Sequence, residues 1–224
     1  MPTMSQAEII RAFTVYLIPV LFAISLHEAA HGYVARYFGD PTAAMEGRLS
    51  LNPLRHIDPF GTVLLPLLLA VAHLPPFGYA KPVPVDFDRL RNPRKHMAFV
   101  AAAGPAANFV MGLGWTLVYL ALLHWRGDDF FVQMAFAGMT VNAAMCVFNL
   151  IPVPPLDGGR IAVSLLPKPL ARAFASIERY GLFVFIGLIV LMQLGILQRP
   201  LLLGIEYVHA IFYKIATPLI SLLS

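Results

Sequence analysis

Five stretches of this chain, residues 9–38, 97–124, 131–150, 180–197 and 201–223, are long and mostly apolar. About 20 apolar residues at ~1.5 Å per residue cross a hydrocarbon core ~30 Å thick, and inside that core every backbone polar group must be paired within the protein. Runs of this kind are expected to be membrane helices. Composition agrees: 58% of residues are hydrophobic and 12% are charged, with a mean hydropathy of +0.72, whereas about a quarter of an ordinary soluble domain is charged. The expected fold is an all-α multi-pass membrane protein with five or six membrane segments. No glycine-rich linker, repeat or low-complexity tract divides it, so residues 1–224 read as a single integral-membrane domain. The first run lacks a small-residue cleavage site and is expected to stay in the mature chain.

A sixth stretch, "TVLLPLLLAVAHL" from Thr62 to Leu74, is short, contains Pro66 and ends at Pro75 and Pro76. It is expected to be re-entrant, entering and leaving on one side. Residues 78–96 carry Lys81, Arg89, Arg91, Arg94 and Lys95, and residues 160–179 carry Arg160, Lys168, Arg172 and Arg179, so both loops are expected to be cytoplasmic. The runs at residues 9–38 and 131–150 would then both point inward. The amphipathic stretch "SLLPKPLARAFASIERYG" is expected to lie along the cytoplasmic interface. The net charge of +4 and pI near 9.4 fit loop charge that sets orientation, and no basic patch interleaved with aromatics suggests nucleic acid. The single cysteine, Cys146, lies in an apolar run and reads as a small core residue.

Inside the first run stands "ISLHEAAHGYVARYFG". His27 and His31 are four residues apart, one helical turn on one face, where both imidazoles can close on one ion. Zinc in a catalytic site takes three protein ligands and leaves one position to water, and Glu28 beside the first histidine is placed as a general base. Paired intramembrane histidines also line water-filled cavities, bridge helices or relay protons. Counting about 15 residues from Ala12 at ~1.5 Å each puts His27 about 20 Å along the helix, still within the core. Polar candidates for a third ligand are His73, Asn108, His124, Asn142, Asn149, Asp157, Glu206 and His209. Asp157 is favoured because "NLIPVPPLDGGR" cannot be a regular helix, and irregular backbone survives at membrane depth where it is buried in protein or faces water. An Asp in this position can equally cap a helix. Glu206 and His209 could also meet a metal, or form a polar stripe.

"HEAAH" on a membrane helix, "GPAANF" at residues 104–109 and "NLIPVPPLDGG" at residues 149–159, in that order, resemble the site-2 protease family of intramembrane zinc metalloproteases, peptidase family M50. The resemblance implies His27, His31 and Asp157 as ligands of one zinc ion and Glu28 as catalytic base. It matches Asn149 to the polar residue before the aspartate motif, as an oxyanion-stabilising amide or as a brace for the broken helix end. Gly104, Pro105 and Asn108 match the middle-helix motif, which implies core packing and a polar contact near the site. "GYAKPVPVDF", residues 78–87, resembles the family's strand beside the active site, a short extended or β element that receives substrate by edge addition, or else a rigid connector. A PDZ insert and a nucleotide-sensing CBS tail are not expected, which makes this a minimal form.

The activity so implied is intramembrane zinc endopeptidase cleavage of a single-span membrane protein or peptide, in regulated proteolysis or signal-peptide clearance. The setting would be a bacterial or archaeal cell membrane with the active site toward the cytoplasm. The lipid bilayer is the other expected partner, and the oligomeric state stays open. His56 and His73 are candidates for gating or water access. The alternatives are a metal-ion transporter, which the small inventory of chelating side chains disfavours, and an inactive membrane-binding scaffold, which the intact Glu28 disfavours.

Overall fold

A computed structural model of the chain describes residues 6–55, 58, 61, 64 and 81–221. The helices are α1 (Gln6–Tyr37), α2 (Thr42–Met45), α3 (Pro93–His124), α4 (Asp129–Asn149), α5 (Asp157–Leu165), α6 (Lys168–Ala175), α7 (Gly181–Gln193) and α8 (Gln198–Ser221), with short 3-10 turns at Pro53–Arg55, Phe87–Arg89 and Ser176–Tyr180. Local chemistry sets the starts of the two central helices. Asn92 caps α3 by accepting from the Lys95 N–H with Pro93 in the first turn, and Asp128 caps α4 by accepting from the Phe130 N–H.

The core is a three-helix bundle with α3 against α1, α4, α5 and α8. Its buried positions are mostly small: Ala23, Ala29 and Ala35 on α1, Ala101 and Gly104 on α3, Ala135, Ala137, Gly138 and Ala143 on α4. Lipid tails are as apolar as leucine, so membrane helices gain by close approach rather than by burial, and small residues permit it. Two positions show this directly. A Cβ on Gly112 would lie 2.5 Å from the ring of the fully buried Phe212 of α8, and one on Gly138 would lie 2.3 Å from Trp115. Arg11 near the start of α1 pairs with Asp129 at the start of α4, so these helices run the same way, with α3 antiparallel. At the other end Arg94 donates through Nε to the Ser164 carbonyl at 2.9 Å, joining the two basic loops on one side of the bundle.

Residues 81–86 form neither helix nor strand, with Asp86 in an extended conformation, and the stretch from 81 to 91 is staked along its length. Arg48 donates to the Lys81 and Pro82 carbonyls at 3.3 and 3.2 Å. The Asp86 N–H donates to Asp40 Oδ2 at 2.8 Å, and the Arg91 N–H donates to the Phe38 carbonyl at 3.0 Å. Burial opposes ionisation of Asp40. Hydrogen bonds from the Thr42 hydroxyl, the Thr42 N–H and the Asp86 N–H, with Arg89 nearby, outweigh it and hold the carboxyl below the usual carboxylate range.

Four helices among the described residues are long and apolar enough to cross a membrane: Phe13–Tyr37, Pro93–His124, Asp129–Asn149 and Lys168–Gln193. The last joins the amphipathic stretch to α7 in one helical run, where the sequence suggested an interfacial piece followed by a separate span. The 201–223 run forms α8 but is not among these four, since Glu206, His209 and Lys214 break its apolar character. The expected β element is corrected: no strand occurs among the described residues. Pro82 and Pro84 have no N–H to donate to a ladder, and side chains rather than a neighbouring strand hold the segment. The re-entrant reading of 62–74, with His56 and His73, falls outside the described residues.

Candidate metal centre

One helical turn separates His27 and His31 on α1, and their Nε2 atoms lie 3.1 Å apart. Asp157, the first residue of α5, brings Oδ2 to 3.2 Å from His27 Nε2 and 3.4 Å from His31 Nε2. All three side chains are buried. The aspartate gets there because the chain after α4 breaks at "IPVPP" and folds back tightly. A Cβ on Gly158 would lie 2.3 Å from the Leu150 carbonyl oxygen, and one on Gly159 would lie 2.2 Å from Pro154 N. Only glycine fits at either place. From the other side, a Cβ on Gly104 would lie 2.4 Å from His31 Nε2 and 2.5 Å from His27 Cε1, so α3 reaches the histidines only because this residue is glycine.

Each imidazole is oriented from behind. His31 Nδ1 lies 2.7 Å from the Val100 carbonyl, next to the Ala101 carbonyl whose helical donor Pro105 lacks. A carbonyl can only accept, so His31 carries its proton on Nδ1. His27 Nδ1 lies 2.6 Å from Asn108 Oδ1; the Asn108 amide nitrogen faces the Ala23 carbonyl at 3.1 Å and Asn142 Oδ1 at 3.0 Å, so the asparagine presents its oxygen and His27 also donates from Nδ1. Both Nε2 lone pairs therefore point into the gap shared with Asp157. Three acceptors converge with no donor between them, and Asp157 Oδ2 is buried with no hydrogen-bond partner. A cation satisfies such a cluster, and two imidazoles plus a carboxylate are a donor set that suits zinc. His27, His31 and Asp157 form the group of this kind found among the described residues.

Glu28 projects beside this centre. Its Oε2 accepts from the Val83 N–H at 2.9 Å, the amide between the two prolines of the 81–86 segment. Val83 packs so closely on α1 that a Cβ on Gly32 would lie 2.8 Å from Val83 Cγ1. His27, Glu28, His31 and Asp157 open on a cavity of about 840 Å³, walled mainly by apolar side chains of α4, α7 and the 82–87 segment, with Val20 and Ile24 of α1. Asn149 also lines it, with its amide donating to the Met145 carbonyl at 3.0 Å. Arg160 stands at the same cavity, pairing with Glu178 at 2.5 Å and lying 5.4 Å over the Phe87 ring.

The other polar candidates go elsewhere. Asn142 is fully buried behind Asn108. Glu206 and His209 sit on α8, outside the cavity lining, as does His124 at the end of α3. Sequence reasoning did not single out the Val83 amide or Arg160. The alternating prolines hinted at the first, since they leave Val83 as the one N–H between them. Arg160 lies three residues after Asp157, one helical turn on.

Residues 124–194 match the profile of Peptidase family M50. The chain is 36% identical over 213 residues to "Putative zinc metalloprotease YwhC" of Bacillus subtilis, covering 91% of this chain and 93% of that one. It is 30% identical over 196 residues to "Putative zinc metalloprotease Rip2" of Mycolicibacterium smegmatis, covering 84% of this chain and 71% of the relative. A Rip2 of Mycobacterium tuberculosis is 31% identical over 169 residues. No solved structure gives a significant match. The chain belongs to peptidase family M50, the site-2 protease family of metalloproteases.

Proposed function

We propose that this protein is an intramembrane zinc endopeptidase that hydrolyses peptide bonds in the membrane-spanning segment of a single-span protein or peptide. The observation that carries the reading is the convergence of His27 Nε2, His31 Nε2 and the unpartnered Asp157 Oδ2 beside Glu28, at the wall of an apolar cavity. One zinc ion held by these three side chains would supply an activated water and a Lewis acid toward the scissile carbonyl. Glu28 takes the water proton and passes it to the leaving amine. The Val83 N–H holds one carboxylate oxygen, which leaves the other to work. Asn149 is placed to steady the developing oxyanion or to brace the end of α4.

A helical substrate must unwind before its amide can be attacked. The segment 81–86, held by Arg48 and Asp40, gives an unwound strand something to lie along. The joined basic loops lie at the end of the bundle to which α1 and α4 run, and the site is nearer that end. This supports a multi-pass arrangement with the active site toward the cytoplasm, in a bacterial or archaeal cell membrane. The test is co-reconstitution in liposomes with a single-span reporter. Wild type is expected to cut it within the apolar segment, with activity lost to a chelator and restored by zinc. Absence of cleavage across a panel of such reporters, with zinc moving across the bilayer, would overturn the assignment in favour of transport.

A further inference from the structure

We propose that Asn142, on α4 and outside the cavity, is a positioning residue that sets which nitrogen His27 presents to the metal. The inference rests on the zinc reading above. Asn142 and Asn108 are both fully buried in the apolar bundle, where an unpaired amide is costly, so their orientations are dictated by what they face. The chain of contacts begins at a group that can only accept. The Asn142 amide nitrogen donates to the Gly138 carbonyl at 2.8 Å, which turns its oxygen toward α3. That oxygen accepts from the Asn108 amide at 3.0 Å, and the same amide nitrogen also reaches the Ala23 carbonyl at 3.1 Å. Asn108 Oδ1 is then left for His27 Nδ1 at 2.6 Å.

Flipping Asn142 would set its oxygen against the Gly138 carbonyl and its NH2 against that of Asn108, and flipping Asn108 would set its oxygen against both the Ala23 carbonyl and Asn142 Oδ1, so the relay has one consistent polarity from α4 through α3 to α1. Its output is an Nδ1–H on His27 and a bare Nε2 facing Asp157. Helix packing alone explains why a small side chain sits at 142, but it does not explain an amide at the centre of a hydrocarbon-embedded bundle. Partners of this kind behind a metal-bound histidine typically change metal affinity by about 10–100-fold when removed.

The test compares Asn142→Leu, which deletes the acceptor, with Asn142→Asp, which keeps an oxygen toward Asn108. Both are made with Glu28→Gln to prevent self-cleavage and are read by zinc affinity in chelator competition. Asn142→Leu is expected to weaken zinc about tenfold or more, with Asn142→Asp within about threefold of the parent. In the zinc-loaded parent, ¹⁵N spectra are expected to show His27 protonated at Nδ1, with that proton exchanging faster in Asn142→Leu. Equal affinity of both variants to the parent, equal loss in both, or His27 protonated at Nε2 would overturn the proposal. Should Asn142→Leu not assemble, Asn142→Ala removes the same acceptor by truncation and is read in its place.

Discussion

Helices α4 and α7 both line the cavity, yet 39% of the apolar window of α4 is buried inside the protein against 6% for the run that contains α7. Only Leu188 of α7 is buried. On the α1, α3 and α4 side, glycines and alanines let backbones meet at van der Waals limits and hold buried polar groups in fixed partnerships. On the α7 side the wall is a loosely attached apolar helix, tied at its start by the exposed Arg160–Glu178 pair. Under the proposed function the difference would separate two jobs: chemistry needs atoms fixed to fractions of an ångström, while admitting an apolar segment from lipid would need a wall with little to break. Substitutions on the packed side should act on metal and rate, and substitutions on the loose side on substrate handling.

The largest effect tests the packed side. Glu28→Gln should lower cleavage on the order of 10²–10⁴-fold while zinc stays bound, measured by product formation and metal content on the same sample. Next comes Gly104→Ala. Its Cβ would press on both histidines, so zinc affinity should fall on the order of 100-fold, with overpacking costing about 1–3 kcal/mol. Unchanged zinc affinity there would erase the contrast between the walls. Gly32→Ala sharpens it: displacing Val83 should withdraw its amide from Glu28 and slow cleavage about tenfold, in line with ~1–3 kcal/mol of overpacking, while chelator competition finds zinc affinity unmoved.

Glu178→Gln removes the tie on the loose side. Being an exposed pair, it should cost only about 0.2–1 kcal/mol of stability, shift the substrate concentration needed for half-maximal cleavage, and leave zinc binding alone. The smallest effect is expected at Asp40. Its carboxyl is held below its ordinary value of 3.8, so its contribution is complete above that pH and is lost as pH falls through the lower folded-state value. Thermal unfolding in detergent should show Asp40→Asn flattening the acid side of the stability profile.

Much of the packed side was legible in the sequence, and little of the loose side was. HEAAH on an apolar helix fixes a spacing of one turn, so the facing of His27 and His31 follows from helix geometry alone, and the broken "NLIPVPPLDGG" marks where irregular backbone must be sheltered. That Asp157 reaches both histidines required the third dimension, through Gly158 and Gly159 packing on residues 150–154. Of the extended or β element expected over residues 78–87, the β half fails among the described residues because alternating proline and valine leaves few ladder donors; the segment is held instead by Arg48 and Asp40, residues distant in sequence whose pairing no local pattern announces. The relay through Asn108 and Asn142 was hidden for the same reason, since a lone asparagine in an apolar run carries no sign of which helix it faces. The thin packing of α7 was invisible because lipid-facing and protein-facing leucines look alike in sequence.

Zinc X-ray absorption on the purified protein, with and without Asp157→Asn, addresses the centre itself. The account predicts one zinc per chain with two imidazoles and a carboxylate oxygen among its ligands at roughly 2.0–2.2 Å, and a weakened, altered shell in the variant. A zinc shell without the two imidazoles, or one that Asp157→Asn leaves untouched, would contradict it.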